Sequence, residues 1–176
     1  MHLKRLNARL LGVTAATALF LAASSATKAG TATSNLSVTA TVSANCTIST
    51  APVAFGAYDP IVANATNPLN GTGTVTVTCT NGSAATITLG QGTNPATGST
   101  DTAPLRQMKD SGTDVLAYSL YQDTGRTTVW GNTAGTGVAE TGTGAVQNVT
   151  VYGAVPAGQN VPAASYSDTV VATVTF

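Results

Sequence analysis

Thr74-Val75-Thr76-Val77-Thr78-Cys79-Thr80 places every apolar side chain at an odd position and every hydroxyl at an even one. Successive side chains of an extended strand point to opposite faces, so this stretch reads as a strand with one face in a core and the other in water. Thr and Val favour that conformation because their branched β-carbons are crowded in a helix. The same period recurs on both sides. Leu36, Val38, Ala40 and Val42 alternate with Ser37, Thr39 and Thr41, and Ile87 and Leu89 follow the opening stretch. Further runs cover Val115 to Tyr121 and Val146 to Val151, and near the end Val170, Ala172, Val174 and Phe176 share one face. Asn81-Gly82, Asn94-Pro95, Asp110-Ser111-Gly112, Asp123-Thr124-Gly125 and Gly158 supply turn chemistry between the runs. Short strands at this spacing predict an all-β fold, an antiparallel sandwich or a barrel. The Gly- and Thr-rich stretch Asn132 to Gly144 reads as a surface loop.

Composition narrows the class further. The chain has 176 residues, of which 33 are Thr and 18 Gly; 43% are hydrophobic and only 8% charged, against roughly 25% charged in an average soluble domain. That excludes a helical bundle or coiled coil, and the hydrophobic fraction excludes a disordered chain. The length suits one domain. Lys4, Arg5, Arg9 and Lys28 all precede residue 30. Beyond it Arg106, Lys109 and Arg126 stand against seven acidic residues, a net charge of −4. No basic stripe remains, which argues against nucleic acid as a partner.

Residues 1–29 account for the segregated charge. A basic start through Arg9 leads into the apolar run Leu10 to Ala23, and small residues follow, ending at Thr27-Lys28-Ala29 or earlier at Ser24-Ser25-Ala26. This is the layout of a secretory signal peptide, with an apolar run too short to span a bilayer. The remainder is therefore expected to be exported, without a membrane-spanning helix. Its two cysteines, Cys46 and Cys79, form an even pair in an oxidising compartment and read as a disulfide. Closing that loop is worth roughly 3–4 kcal/mol by chain entropy.

Catalytic chemistry has little to work with. The only histidine, His2, lies in the signal segment, so Ser-His-Asp and Cys-His arrangements and a histidine-based metal site are missing from the exported part. Gly71-Thr72-Gly73 and Gly135-Thr136-Gly137 lack the further glycines of a phosphate-binding loop. No enzyme activity, cofactor or metal is expected. Tyr118, Tyr121 and Trp130 sit on strand-like runs, where aromatic residues belong to a core more often than to an exposed adhesive patch.

Five phrases, in order, carry a family resemblance: Phe55-Gly56-Ala57-Tyr58-Asp59-Pro60, Tyr118-Ser119-Leu120-Tyr121-Gln122-Asp123, Arg126-Thr127-Thr128-Val129-Trp130-Gly131, Tyr152-Gly153-Ala154-Val155-Pro156-Ala157-Gly158-Gln159, and Tyr166-Ser167-Asp168-Thr169-Val170 running to Phe176. With both cysteines, they resemble the spore coat protein U domain family, whose members include pilin subunits of the archaic chaperone–usher pathway. The chain looks most like the single-domain shaft subunit. The resemblance implies an incomplete immunoglobulin-like antiparallel β-sandwich, completed by a donor strand from a neighbouring subunit. It implies a subunit captured by a periplasmic chaperone, passed to an outer-membrane usher and polymerised head to tail into a surface pilus or fimbrium used in adhesion and biofilm. On this reading residues 1–29 are the signal peptide, 30–44 the donor segment and 45–176 the pilin domain. Leu36, Val38, Ala40 and Val42 would insert into the next subunit, and the strand bearing Tyr166, Val170, Ala172, Val174 and Phe176 would border the groove and meet the chaperone. Ala40 is small for an inserting side chain, so the pocket it meets should be shallow.

Two alternatives stand beside this. Residues 34–42 could be an ordinary first strand of a non-fibrous coat protein of the same family. A small outer-membrane β-barrel would suit the length, but its aromatic girdles must come from only eight aromatic residues beyond the signal.

Overall fold

Eight strands make up nearly all the regular structure among the described residues, 26–176 of this computed structural model. Residues 1–25, which hold most of the expected signal peptide, lie outside the described residues. Residues 26–45 form neither helix nor strand and are exposed, so the run Leu36 to Val42 is not an ordinary first strand here. The strands are β1 (Cys46–Ala51), β2 (Leu69–Cys79), β3 (Ala84–Leu89), β4 (Arg106–Lys109), β5 (Val115–Tyr121), β6 (Val138–Thr141), β7 (Val146–Val155) and β8 (Ala172–Thr175). They form two antiparallel sheets, one in the order β1-β2-β7-β5-β4 and one in the order β6-β3-β8. Each sheet ends in edge strands. The result is an immunoglobulin-like sandwich and not a closed barrel.

Alternation turns directly into packing. Val75, Val77 and Cys79 of β2 face inward, with Ile87 and Leu89 of β3, Leu116, Tyr118 and Leu120 of β5, and Val151 and Val155 of β7. The threonines between them face out, and Thr76 donates its hydroxyl to Asn148 Oδ1 on β7 at 2.8 Å. Cys46 opens β1 directly opposite Cys79, the last residue of β2, and the two are disulfide-bonded. Trp130 stitches the sheets together. Its backbone N–H reaches Leu120 O at 2.9 Å, and its indole N–H reaches Ile87 O, also at 2.9 Å.

The stretch expected to be a loop, Asn132 to Gly144, contains a 3₁₀ turn (Ala134–Thr136) and β6, which pairs with β3. Its flanking glycines serve close approach as well as turning. A β-carbon on Gly137 would lie 2.8 Å from Ile87 O, so only a bare backbone brings β6 this near β3. The C-terminal strand is shorter than its alternation suggests, because hydrogen-bonded pairing with β3 covers only Ala172 to Thr175. Residues 166–171 instead cross from one sheet to the other. Ser167 and Lys109 exchange backbone hydrogen bonds at 2.8 and 3.0 Å, and Gly90 N–H donates to Val171 O at 2.9 Å.

Candidate functional site: an open groove in the sandwich

Between the segment that follows β1 and the segment that leads into β8, the core is uncovered. Two chambers of about 450 and 780 Å³ lie there, and they share Val53, Phe55, Met108 and Tyr166 as lining, so they form one groove. Val75, Leu89, Leu120 and Val151 floor the smaller chamber; Leu69, Leu116 and Val155 floor the larger. The larger chamber reaches Pro60 and Ile61 at one end. Toward the other end β1 and β8 come within 8 Å, Cα to Cα. Two strands flanking a third stand roughly 9–10 Å apart, so no strand fits where β1 and β8 approach this closely, and the larger chamber opens toward Ile61.

The first wall is the segment Pro52 to Ala57. Val53 and Phe55 lie flat on β2 and β7 because Gly71, Gly73 and Gly153 offer no side chain beneath them. A β-carbon on Gly153 would sit 2.7 Å from the Phe55 ring, and one on Gly73 would sit 2.7 Å from Val53. Phe55 also meets Tyr118 edge-on, with ring centroids 6.1 Å apart. This wall makes no backbone–backbone hydrogen bond among the described residues.

The second wall is Tyr166 to Ala172. Along it Tyr166, Asp168, Val170 and Ala172 are half-buried and Ser167, Thr169 and Val171 between them are exposed; all but Val171 line the groove. Ser167 and Val171 are tied to the domain behind, whereas Asp168 and Val170 make no backbone–backbone hydrogen bond among the described residues. The groove-side edge is therefore unpaired, an open template for a strand. Asp168 anchors the wall. Its Oδ1 accepts from Thr93 N–H (2.9 Å), the Thr93 hydroxyl (2.6 Å), Asn94 Nδ2 (3.3 Å) and Thr169 N–H (2.8 Å); its Oδ2 accepts from the Tyr118 hydroxyl at 2.7 Å. Burial, reinforced by that bond, raises the Tyr118 pKa above its ordinary 10.0. Behind the groove Arg106 is 1% exposed, and its guanidinium donates to the carbonyls of Gly90 (2.8 Å), Leu89 (2.9 Å) and Trp130 (2.8 Å). Burial lowers its pKa to about 10.

Of the residues expected at the groove border, Tyr166, Val170 and Ala172 line it. Val174 packs on the core opposite Ile87, and Phe176, beyond the last β8 pair, is 52% exposed. Leu36, Val38, Ala40 and Val42 are all exposed. Tyr118 and Trp130 are buried core residues, so they form no surface patch. Sequence reading did not single out Val53, Asp168 or Ile61 for the groove. For Asp168 the available signal was a lone carboxylate on the inward phase of an alternating strand. Among the described residues no group of three or more His, Cys, Asp or Glu could hold a metal ion, and no helix is long and apolar enough to cross a membrane.

Comparison with known proteins gives three findings. The sequence model of the spore coat protein U domain matches residues 32–173. Protein U of Myxococcus xanthus is 49% identical over 179 residues, covering 97% of this chain and all of that protein. Among solved structures, one chain matches from the chaperone–tip adhesion subunit pre-assembly complex CsuC–CsuE of archaic chaperone-usher Csu pili of Acinetobacter baumannii, with a TM-score of 0.54 and 21% identity. That match covers 77% of this chain and 40% of the solved one, and it speaks to the fold alone.

Proposed function

The chain belongs to the spore coat protein U domain family, and from that premise we propose that it is a structural pilin subunit assembling by donor-strand complementation. The observation that carries the reading is the apolar groove, open along an unpaired strand edge, in a chain whose own N-terminal alternating segment is exposed. Strand addition to such an edge is an established recognition mode.

Geometry favours insertion between chains over insertion within one. Pairing of β1 with β2 extends to Asn45, since Thr80 N–H donates to Asn45 O at 2.9 Å and Asn45 N–H to Thr80 Oγ1 at 3.1 Å. The N-terminal segment thus leaves at the Cys46 end, where β1 and β8 close on each other, while the groove opens at the opposite end. Folding back would deliver it to the closed end. In a second copy the body follows the inserted segment in the chain and is too large to enter, so it sits at the open mouth. The inserted strand then runs antiparallel to the Tyr166–Ala172 wall.

Register follows from length. Leu36 to Val42 spans six residue steps, as does Tyr166 to Ala172, about 20 Å each in extended chain. Antiparallel alignment pairs Leu36 with Ala172, Val38 with Val170, Ala40 with Asp168 and Val42 with Tyr166. The smallest inserted side chain then meets the level of the groove that the Asp168–Tyr118 bond fills. Repeated head to tail, the contact does not close on itself and builds a fibre. A periplasmic chaperone holds the groove beforehand, an outer-membrane usher exports the subunit, and the fibre stands on the cell surface, in adhesion and biofilm.

A second reading rests on the full-length identity to Protein U: a secreted coat protein of the same family that forms no fibre. Expression with an archaic-type chaperone and usher separates the two. Fibres in electron micrographs, with an SDS-resistant ladder that collapses on boiling, support the pilin reading. Folded, chaperone-independent monomer and no ladder would refute it.

A further inference from the structure

Ile61 and Val62 are each 76% exposed, yet the loop that carries them is rigidly built. Asp59 Oδ1 accepts from Ile61 N–H (2.9 Å) and Val62 N–H (3.1 Å), bonds that lower the Asp59 pKa below its ordinary value. Asp59 N–H donates to Asn64 Oδ1 at 3.0 Å, and Asn64 N–H returns to Asp59 O at 2.7 Å. Asn64 is itself buried; its Nδ2 donates to Asn67 O, and its carbonyl accepts from Gly158 N–H. Just before the loop, the Tyr58 hydroxyl donates to Pro156 O at 2.8 Å and accepts from Gln159 N–H at 2.9 Å. Folding therefore fixes two adjacent β-branched side chains in water. Such exposure gains nothing for this chain alone and points to an interface.

We propose that Ile61 and Val62 dock a second copy of this chain at the base of its inserted segment, setting how successive bodies are held. The inference rests on the donor-strand reading and extends it from groove to body. Pro60 and Ile61 line the mouth chamber, so their surface is continuous with the groove. The antiparallel alignment brings the second copy out of the groove at that mouth, beginning with Val42, which is 82% exposed in the free subunit. The emerging residues, Thr41-Val42-Ser43-Ala44-Asn45, are uncharged and mostly small, as an apolar loop requires.

The test pairs Ile61→Cys with Val42→Cys in one full-length chain, assembled and then oxidised. Contact across copies makes a ladder that survives boiling in SDS without reductant and collapses to monomer with it. A chain pairing Val42→Cys with Leu105→Cys, exposed but outside both chambers, should collapse under either condition. An unboiled ladder that boiling alone reduces to monomer in the Ile61 chain overturns the contact and leaves the assembly reading intact. Equal cross-linking at Leu105 also overturns it. No unboiled ladder from the unaltered chain overturns the assembly reading and the contact with it. The variant Val62→Asp, at an exposed residue outside both chambers, introduces no thiol. It should keep the unboiled ladder but give fibres of several-fold shorter persistence length, and unchanged stiffness would count against the contact.

Discussion

Val38→Asp should abolish assembly while Thr39→Asp, one residue along, leaves it nearly intact. Val38 is 85% exposed in the free subunit. In the alignment above it lies against Val170, over the Val75, Leu89 and Val151 floor. Burying such a side chain is worth roughly 1.5–3 kcal/mol. A carboxylate in its place finds the Thr93 N–H and hydroxyl and the Tyr118 hydroxyl already committed to Asp168, and the one unpartnered donor behind the groove, Arg106 Nη1, is buried. Asp168 is also a like charge one inward position away. To enter, the new carboxyl must take up a proton; a pKa raised by three units costs about 4 kcal/mol near neutral pH. Adding the lost apolar burial gives about 6 kcal/mol, or some four orders of magnitude in the dissociation constant of the joint. Thr39 faces away from the groove on the same strand, so Asp there stays hydrated and changes affinity by about 0.5 kcal/mol or less. The assay starts from the chaperone-bound subunit and follows the fraction entering the SDS-resistant, heat-labile ladder. Two variants that both assemble, or both stay chaperone-bound, would refute the alternating-face assignment.

Removing the cross-strand bridge with Cys46→Ala and Cys79→Ala should lower the unfolding free energy by roughly 3–4 kcal/mol, read from urea titration, since the bond closes 33 residues; a loss below about 1 kcal/mol contradicts this. Tyr118→Phe removes the hydroxyl bonded to Asp168 and should destabilise most below pH 10. Because the folded-state pKa of Tyr118 is raised above 10.0, its contribution is complete below that pH and is lost as pH climbs above it. The stability gap between parent and variant should then narrow by up to about 1.4 kcal/mol per pH unit, and a gap constant on both sides of pH 10 contradicts the linkage. Deleting Thr173 to Phe176 takes away the pairing of Val174 with Ile87 and of Thr175 with Thr86. It should leave no chaperone-captured subunit, only degraded protein on immunoblots; a stable soluble monomer without chaperone contradicts it.

Features that depend on a few neighbouring residues are legible in the sequence. The period-two pattern of Thr74 to Thr80 is a property of one strand's own backbone, and β2, β3, β5 and β7 appear where alternation placed them. Tyr118 and Tyr121 are three apart, hence on opposite faces, and only Tyr118 is buried. The Cys46–Cys79 bond followed from compartment and count. Tertiary structure decided everything that depends on what lies alongside. Gly137 and Gly142 fall in the stretch that reads as a surface loop, but both flank β6, where bare backbone passes close to β3 and to Thr80. Arg106, only a term in the charge count of the sequence, is buried because the carbonyls of Leu89, Gly90 and Trp130 converge on it from segments distant in sequence. The groove is the extreme case. Its walls, Pro52 to Ala57 and Tyr166 to Ala172, lie more than a hundred residues apart. Their edges are open because no strand lies between them, and a strand's missing neighbour leaves no mark on the residues of the strand itself.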